Sequence, residues 1–375
     1  MIYLDNAATT KPDKECLLKA EIYNTEKFFN PSSLYREGLE LSDAVKQAKN
    51  TILDCLGLSS ALYEVVFTSG GTESDNTAVF SSVKRGTFVT DKGEHAAIFQ
   101  CFTELKNRGY SVNFIDVNKD GSADTEKLYD FVRKNRTDFV SVMHVNNETG
   151  AINDVNSIAE ELKKINPDIV FHTDGVQSFG KIPFVFSNSI DMFSLSGHKI
   201  NAVKGTGALI KKRKLPFSPI IFGGGQENGL RSGTENTFGI KVLEFNCRKK
   251  YENIRENFEK VSVLNEYVRK NIDLKDIKII SSENSSPYIL CLSAVGLRGE
   301  VIMHALEEYG IIIGNGSACS SRHRYSRVIE ACGYEKAVLD GVLRISFSAD
   351  NTMEEVAEFT DRLNFVVKKF KRIMK

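Results

Sequence analysis

Lys199 closes the tetrad Ser196-Gly197-His198-Lys199 at the end of an apolar run, within the stretch FSLSGHKINAVKGTGALI. An amine in that position can be a solvated charge, a phosphate ligand or a covalent catalyst. Apolar neighbours depress its pKa and make it a nucleophile. Asp174 follows DIVF in HTDGVQSFG, with Gln177 three residues on. A carboxylate at the mouth of a sheet needs a cationic partner, because an unpaired buried charge is expensive. Gly70-Gly71-Thr72 follows VVFTS and should open a helix, where free N–H groups and the positive dipole end attract an anion. That loop is neither a Walker A loop nor GxGxxG, so nucleotide binding is disfavoured. His95 in GEHAA and Asn147 in HVNNETG follow two further strands. Taken singly, each of these stretches reads equally well as a capped turn, a surface histidine or an Asn-Gly turn. A second nucleophile, Cys319, lies in IIIGNGSACSSRHR among small residues, with Arg322, His323 and Arg324 near enough to favour the thiolate. The other six cysteines occupy apolar or helical contexts and read as inert fillers.

One cofactor employs the whole set. Pyridoxal 5'-phosphate requires a lysine for a Schiff base, an acid facing the pyridinium nitrogen, a phosphate cradle and a ring stacked on its face. Lys199, then Asp174, then Gly71-Thr72 with Ser196 and His198, then His95 meet those requirements in turn. Lys199 is therefore expected to carry the cofactor and later act as a base at the substrate Cα. The competing donor set of His95, His144, His172 and Asp174 matches no metal-binding spacing and leaves Lys199 and Cys319 idle. No metal is expected.

The elements that must position these residues alternate. EVVFTSG (64–70), TFVTD (87–91), FVSVMHV (139–145), DIVFHTD (168–174) and DMFSLSG (191–197) are apolar, β-branched or aromatic, and end in small or polar residues. Segments between them, such as NSIAEELKKIN (156–166), carry helical periodicity. The pattern predicts an α/β domain around a mainly parallel sheet flanked by helices, with ligands at the carboxyl ends of the strands. A helical stretch over 238–271 leads to a smaller α+β unit with strands near 287–295 and 341–348, a helix at 298–310 and a closing amphipathic helix from about Met353. The expected division is a large cofactor-binding domain over 14–245, and a smaller domain from 1–13 with 246–375 that carries the cysteine loop. The chain has 375 residues, 49 Lys+Arg against 49 Asp+Glu, and 41% hydrophobic residues. Zero net charge offers no electrostatic basis for nucleic acid or an anionic membrane, and no apolar stretch reaches spanning length. Seven scattered cysteines without a CxxC pair suit a reducing cytoplasm.

These motifs resemble the fold-type I pyridoxal-phosphate enzymes and, among them, the cysteine desulfurases of the class-V aminotransferase group. The resemblance runs from YLDNAATT (3–10), NPSSLYREG (30–38) and FTSGGTESDN (67–76) through HVNNETG, HTDGVQS, SGHK and LRSGTEN (230–236) to GSACSS (316–321). The last form is similar to the branch with a long mobile cysteine loop. The resemblance implies a homodimer with Thr234 of the partner subunit on the cofactor phosphate, Asn147 beside the substrate and Gln177 on the cofactor's ring hydroxyl. It implies that L-cysteine is converted to L-alanine and that a persulfide stays on Cys319 for a protein acceptor, such as a cluster scaffold or a thiolation enzyme. His95 would assist proton transfer.

Three positions depart from the family pattern. Tyr35 replaces a common histidine, and Asn228 a common arginine. The C-terminal strand reads RISFSADNT, with Ala349 where the resemblance places an arginine on the substrate carboxylate. From this the expectation is weak or altered carboxylate recognition, with Arg322 or Arg324 as substitutes. Two alternatives to desulfuration follow: a related lyase acting on selenocysteine or another amino acid, and a catalytically reduced relative that binds partners.

Overall fold

The computed structural model describes residues 1–82, 86–315 and 325–373. Its centre is a seven-stranded sheet in the order Tyr63–Thr68, Gly207–Lys212, Met192–Ser196, Val170–Asp174, Phe139–Ser141, Thr87–Asp91 and Ser111–Ile115. Every neighbouring pair is parallel except those made by Gly207–Lys212, which runs antiparallel to both its neighbours. Met192–Ser196 is buried at all its positions, its two serines included, because helices cover both faces of the sheet. Helices cover both faces. On one, Arg36–Cys55 and Thr237–Glu252 place Val45, Ile52, Ile240 and Leu243 against Val65, Phe67 and Phe171. On the other, Gly71–Ser82 and Ala96–Asn107 place Ala78, Val79, Ile98 and Phe102 against Phe88, Phe139 and Leu209. The helix Val155–Ile165 illustrates the local logic. Val155, Ile158, Ala159 and Leu162 form its buried stripe, and the Asp154 carboxylate caps it by accepting from Ser157 N.

Most expected strands lie where the apolar runs put them, but FVSVMHV contributes only Phe139–Ser141 to the sheet. Two strands of this central sheet were not anticipated. Ser111–Ile115 is a half-exposed edge strand and so lacks an apolar run, and Gly207–Lys212 lies in the glycine-rich tail of the Lys199 stretch.

The second unit has its own core. An antiparallel sheet ordered Val342–Ser346, Ile289–Ala294, Ile277–Ile279 packs with the helices Ile254–Asn271, Gly299–Glu307 and Met353–Ile373 through Leu264, Leu290, Ile345, Phe359 and Leu363. The chain start joins it: Ile2–Leu4 pairs parallel with Ile311–Ile313. The helix Thr237–Glu252 crosses the expected boundary at 245/246, and its Cys247 is buried in the first core. The long helical stretch breaks at Asn253, and the next helix belongs to the second core.

Gly207 pairs with both Thr68 and Ser196, so it holds two of the loops that face the site at one sheet edge. A Cβ there would lie 2.6 Å from Gly70 Cα and 2.8 Å from Leu195 O, backbone atoms that cannot yield. Gly207→Ala is expected to destabilise the fold by about 1–3 kcal/mol, as overpacking does. A denaturant midpoint lowered at constant m-value is the readout, and an unchanged midpoint contradicts the close approach.

Candidate active site

Because the five parallel strands other than the edge strand Ser111–Ile115 point the same way, their carboxyl ends deliver Gly71, His95, Asn147, Asp174 and Lys199 to one rim. There they enclose a cavity of about 340 Å³, whose wall also includes Thr72, Gln177, Ser196 and His198. Of the expected cofactor residues, only Thr234 is absent from this wall. It sits exposed on the loop before the helix Thr237–Glu252. Cys319 lies outside the described residues, as do Arg322, His323 and Arg324.

Lys199 ends a short 3-10 turn, Gly197–Lys199. Gly197 donates to Thr206 O at 2.9 Å, and a Cβ on Gly197 would meet Thr206 Oγ1 at 2.5 Å, so the tight turn needs this glycine. The chain start crosses the turn: Thr10 donates to His198 O at 2.9 Å and Asn201 N donates to Thr10 Oγ1 at 2.7 Å. Lys199 Nζ thereby donates to Ala7 O at 2.6 Å and Ala8 O at 2.8 Å.

Asp174 is 5% exposed and accepts one backbone N–H, from Val176 at 2.8 Å. Burial raises its pKa to about 6, against the opposing pulls of that N–H and of Lys199. The acid groups around it are pushed up further. Asp75, on the helix Gly71–Ser82, lies well above the usual carboxylate range through burial and then through Asp174. Glu94 does so through burial and then through Asp91, Asp174 and Asp75. Burial thus disfavours the charged form of all three, and of them Asp174 is the one on which a cation, Lys199, acts.

His95 caps the helix Ala96–Asn107: its Nδ1 accepts from Ala97 N at 3.2 Å, which puts the proton of the neutral ring on Nε2. Burial, then the charges of Lys199, Arg327 and Arg344, lower its pKa to about 4. Ser196 Oγ and Asn147 Oδ1 are buried at the cavity without a protein partner. His198 Nδ1 contacts Thr9 Oγ1 at 3.2 Å, leaving Nε2 for a ligand. Gln177 Nε2 donates to Ala7 O at 2.9 Å.

Pyridoxal phosphate fits this set. A buried carboxylate short of a cation faces a pyridinium nitrogen, an amine stands ready for a carbonyl, and an unpartnered hydroxyl lies beside a helix N-terminus suited to phosphate. Of the rival metal set, His95 and Asp174 come together, with Asp75, within 4.8 Å of one another, but His144 and His172 do not join them. His144 lies tilted against Phe184, with ring centroids 4.5 Å apart, and His172 is bonded to Ser141 Oγ and Ser194 Oγ, both at 2.9 Å.

The expectation about Ala349 is corrected here. Ala349 is packed against the second core, away from the cavity, and its carbonyl accepts from Lys260. The guanidinium in the cavity belongs to Arg344, from the strand Val342–Ser346. Its Nη1 donates to Asn147 O at 3.0 Å and its Nη2 to Asp5 at 2.9 Å, while Nε is buried without a partner. Arg344 was legible as a lone charge inside a mainly apolar strand, and a charged residue is rarely buried unless it is paired. Arg327 was also missed. It lines the cavity, donates to Lys92 O and Glu94 O, and lies 3.9 Å over the Phe99 ring. The six described cysteines have thiols pushed up mainly by burial, Cys16 to about 11 and Cys55, Cys101 and Cys332 to about 12. Cys247 and Cys291 are also raised.

An α/β sheet with a lysine and a buried acid at its rim defines a pyridoxal-phosphate enzyme of fold-type I. The aminotransferase class-V family model matches residues 2–359. A NifS/IcsS protein homolog of Lactobacillus delbrueckii subsp. bulgaricus is 36% identical, over 100% of this chain and 99% of its own length. A cysteine desulfurase of Trichormus azollae is 34% identical, over 97% of this chain and 94% of its own. A solved NifS-like protein superposes with a TM-score of 0.90 at 31% identity, covering 98% of this chain and 99% of that one. The chain belongs to the class-V aminotransferase family and, within it, to the cysteine desulfurases.

The low His95 pKa fixes a sign. Above about pH 5 the folded ring is neutral, whereas the unfolded ring gains a proton near 6.5, so His95 contributes stability that is lost as pH falls from 6.5 toward 4. In an NMR titration the His95 ring signals are expected to stay flat from pH 5 to 8. A midpoint near 6.5 contradicts the buried, capped ring.

Proposed function

We propose that this chain converts L-cysteine to L-alanine and leaves the sulfur as a persulfide on Cys319, for transfer to an acceptor protein. The observation that carries the reading is the convergence of the Lys199 amine, the Asp174 carboxylate and the Arg344 guanidinium on one cavity, a set suited to an α-amino acid. Family membership supports the reaction type, and relatives bearing the desulfurase name support cysteine as the substrate.

Pyridoxal phosphate, when bound, supplies an electron sink for the pair released at the substrate Cα. Gly71, Thr72, Ser196 and His198 would hold its phosphate, Asp174 its ring nitrogen and Gln177 its ring oxygen, with His95 against the ring face. Arg344 pairs with the substrate carboxylate, and Asn147, whose carbonyl the same guanidinium holds, stands beside it. Lys199 removes the Cα proton and returns it, its reach set by the Ala7 and Ala8 carbonyls. His95 offers its Nε2 proton to the sulfur or nitrogen of the substrate while Ala97 N–H fixes the ring. The Cys319 thiolate attacks the substrate sulfur: an S–S bond forms as the Cβ–S bond breaks, and the product Cβ gains a proton. Cys319 is assigned from GSACSS, and the raised thiols of the other six cysteines support that choice.

A homodimer is part of the proposal. Phe28, Leu34 and Phe222 are large apolar side chains, 68%, 90% and 81% exposed, which favours association, and Thr234 is exposed and so accessible to a second copy. The free-cysteine pattern supports a reducing cytoplasm, and among the described residues no helix is long and apolar enough to cross a membrane. With Arg344 in the cavity, the basis for impaired carboxylate anchoring is gone.

The direct test is intact-protein and peptide mass spectrometry after incubation with L-cysteine. One added sulfur on the peptide containing Cys319, with alanine formed in step, is the expected result, and its absence from active protein overturns the assignment. Arg344→Ala is expected to raise KM for L-cysteine by roughly 10- to 100-fold, the loss of about 1.5–3 kcal/mol of charged hydrogen bonding. An unchanged KM moves the carboxylate site elsewhere.

A further inference from the structure

A second lysine lies buried behind the site without a carboxylate beside it. Lys181 is 6% exposed and follows Gly180, whose left-handed φ of 68° turns the chain back toward the sheet. Its Nζ donates to Gln177 Oε1 at 3.0 Å. The charges that act on it are those of Lys199, Lys250 and Arg344, all cationic, and with burial they hold its pKa well below the ordinary lysine value. A buried amine among cations stabilises nothing by ion pairing, so its retention asks for another explanation.

The hydrogen bonds give one. Lys181 Nζ meets Gln177 Oε1 at 3.0 Å, Gln177 Nε2 meets Ala7 O at 2.9 Å, and Lys199 Nζ meets the same Ala7 O at 2.6 Å. The three bonds form one continuous chain from Lys181 to the reactive amine. Within it the Gln177 amide has one orientation. Turned over, its oxygen would oppose the Ala7 carbonyl and its NH2 would oppose the Lys181 amine. One N–H of Nε2 is taken by Ala7, and Gln177 lines the cavity, so the second N–H is the one presented to a ligand.

We propose that Lys181 is a positioning residue: through Gln177 and the Ala7 carbonyl it fixes both the amide N–H offered to the cofactor and the acceptor that aims the Lys199 amine. The proposal deepens the functional reading above and rests on it. Removing the Lys181 donor leaves Gln177 Oε1 buried and unsatisfied, which drives the amide out of register. A donor bond to Oε1 also polarises the amide, strengthening its N–H toward an acceptor in the cavity.

The experiment compares purified holoenzymes carrying Lys181→Met, Lys181→Arg, Gln177→Leu and the double change Lys181→Met with Gln177→Leu. Lys181→Met is close to isosteric, and Lys181→Leu gives the same readout should the methionine variant fail to fold by circular dichroism. The pH midpoint of the cofactor's visible absorption band is expected to move by roughly half a pH unit or more. Turnover is expected to fall about tenfold with KM for L-cysteine unchanged. Lys181→Arg, which keeps a donor, is expected to retain most of both properties, and Lys181→Met is expected to add nothing in the Gln177→Leu background. Unchanged band and turnover in Lys181→Met, or effects of the two changes that multiply, overturn the proposal while leaving the enzyme reading standing. A wild-type protein that binds no cofactor overturns that reading instead, and this proposal with it.

Discussion

A carboxylate that cannot be hydrated organises this protein. Asp174 ends a central strand with both faces of the sheet covered, accepts one N–H, and is held near pKa 6 by burial. Its neighbours Asp75 and Glu94 are also pushed up by burial and by the acids around them, and of the three only Asp174 has a cation, Lys199, acting on it. Such a charge is stable only opposite a cation. Lys199 supplies part of that compensation, and a pyridinium nitrogen would supply the rest. The burial of Asp174 is thus the feature of the fold that favours a cationic ring nitrogen at that point.

The second constraint is mechanical. The Lys199 amine, proposed as catalytic, belongs to the large sheet, while the guanidinium proposed for the substrate belongs to the small one. Residues 5–10 join them. Asp5 holds Arg344 at 2.9 Å, Asn6 and Ala7 bond to Ser346, Ala7 and Ala8 receive Lys199, and Thr10 clasps His198 and Asn201. A short segment at the chain start therefore sets the distance between the two functional groups. Its carbonyls can do so because they are committed to no strand, which leaves them as acceptors for side chains.

How much was legible depended on whether the signal was local. Lys199, Asp174 and His95 each follow an apolar run that ends in a polar residue, and parallel strands bring such ends together by construction. The glycine-hydroxyl loop was visible as a helix start, and the alternation of strands and helices indicated the fold class. Arg344 was obscured by an arginine expected five residues later. Linear spacing placed the carboxylate partner at Ala349, but Ala349 lies beyond the end of the strand and packs against the small core, while Arg344 within the strand lines the cavity. The strand Gly207–Lys212 was hidden because glycine and lysine depress strand propensity, although its Lys211 is buried and paired with Glu64 at 2.7 Å.

The amino-acid order by itself determined the elements and the kinds of group at their ends, because periodicity and strand-terminal polarity are properties of short stretches of chain. It determined also that a lysine, an acid and an anion loop would share one rim. Only the tertiary structure decided which arginine faces the cavity, which of the three neighbouring acids has Lys199 acting on it, and how Lys181 reaches Lys199 through an amide and a carbonyl. Those outcomes depend on burial and on contacts between residues far apart in the chain, and neither quantity exists until the two cores have packed.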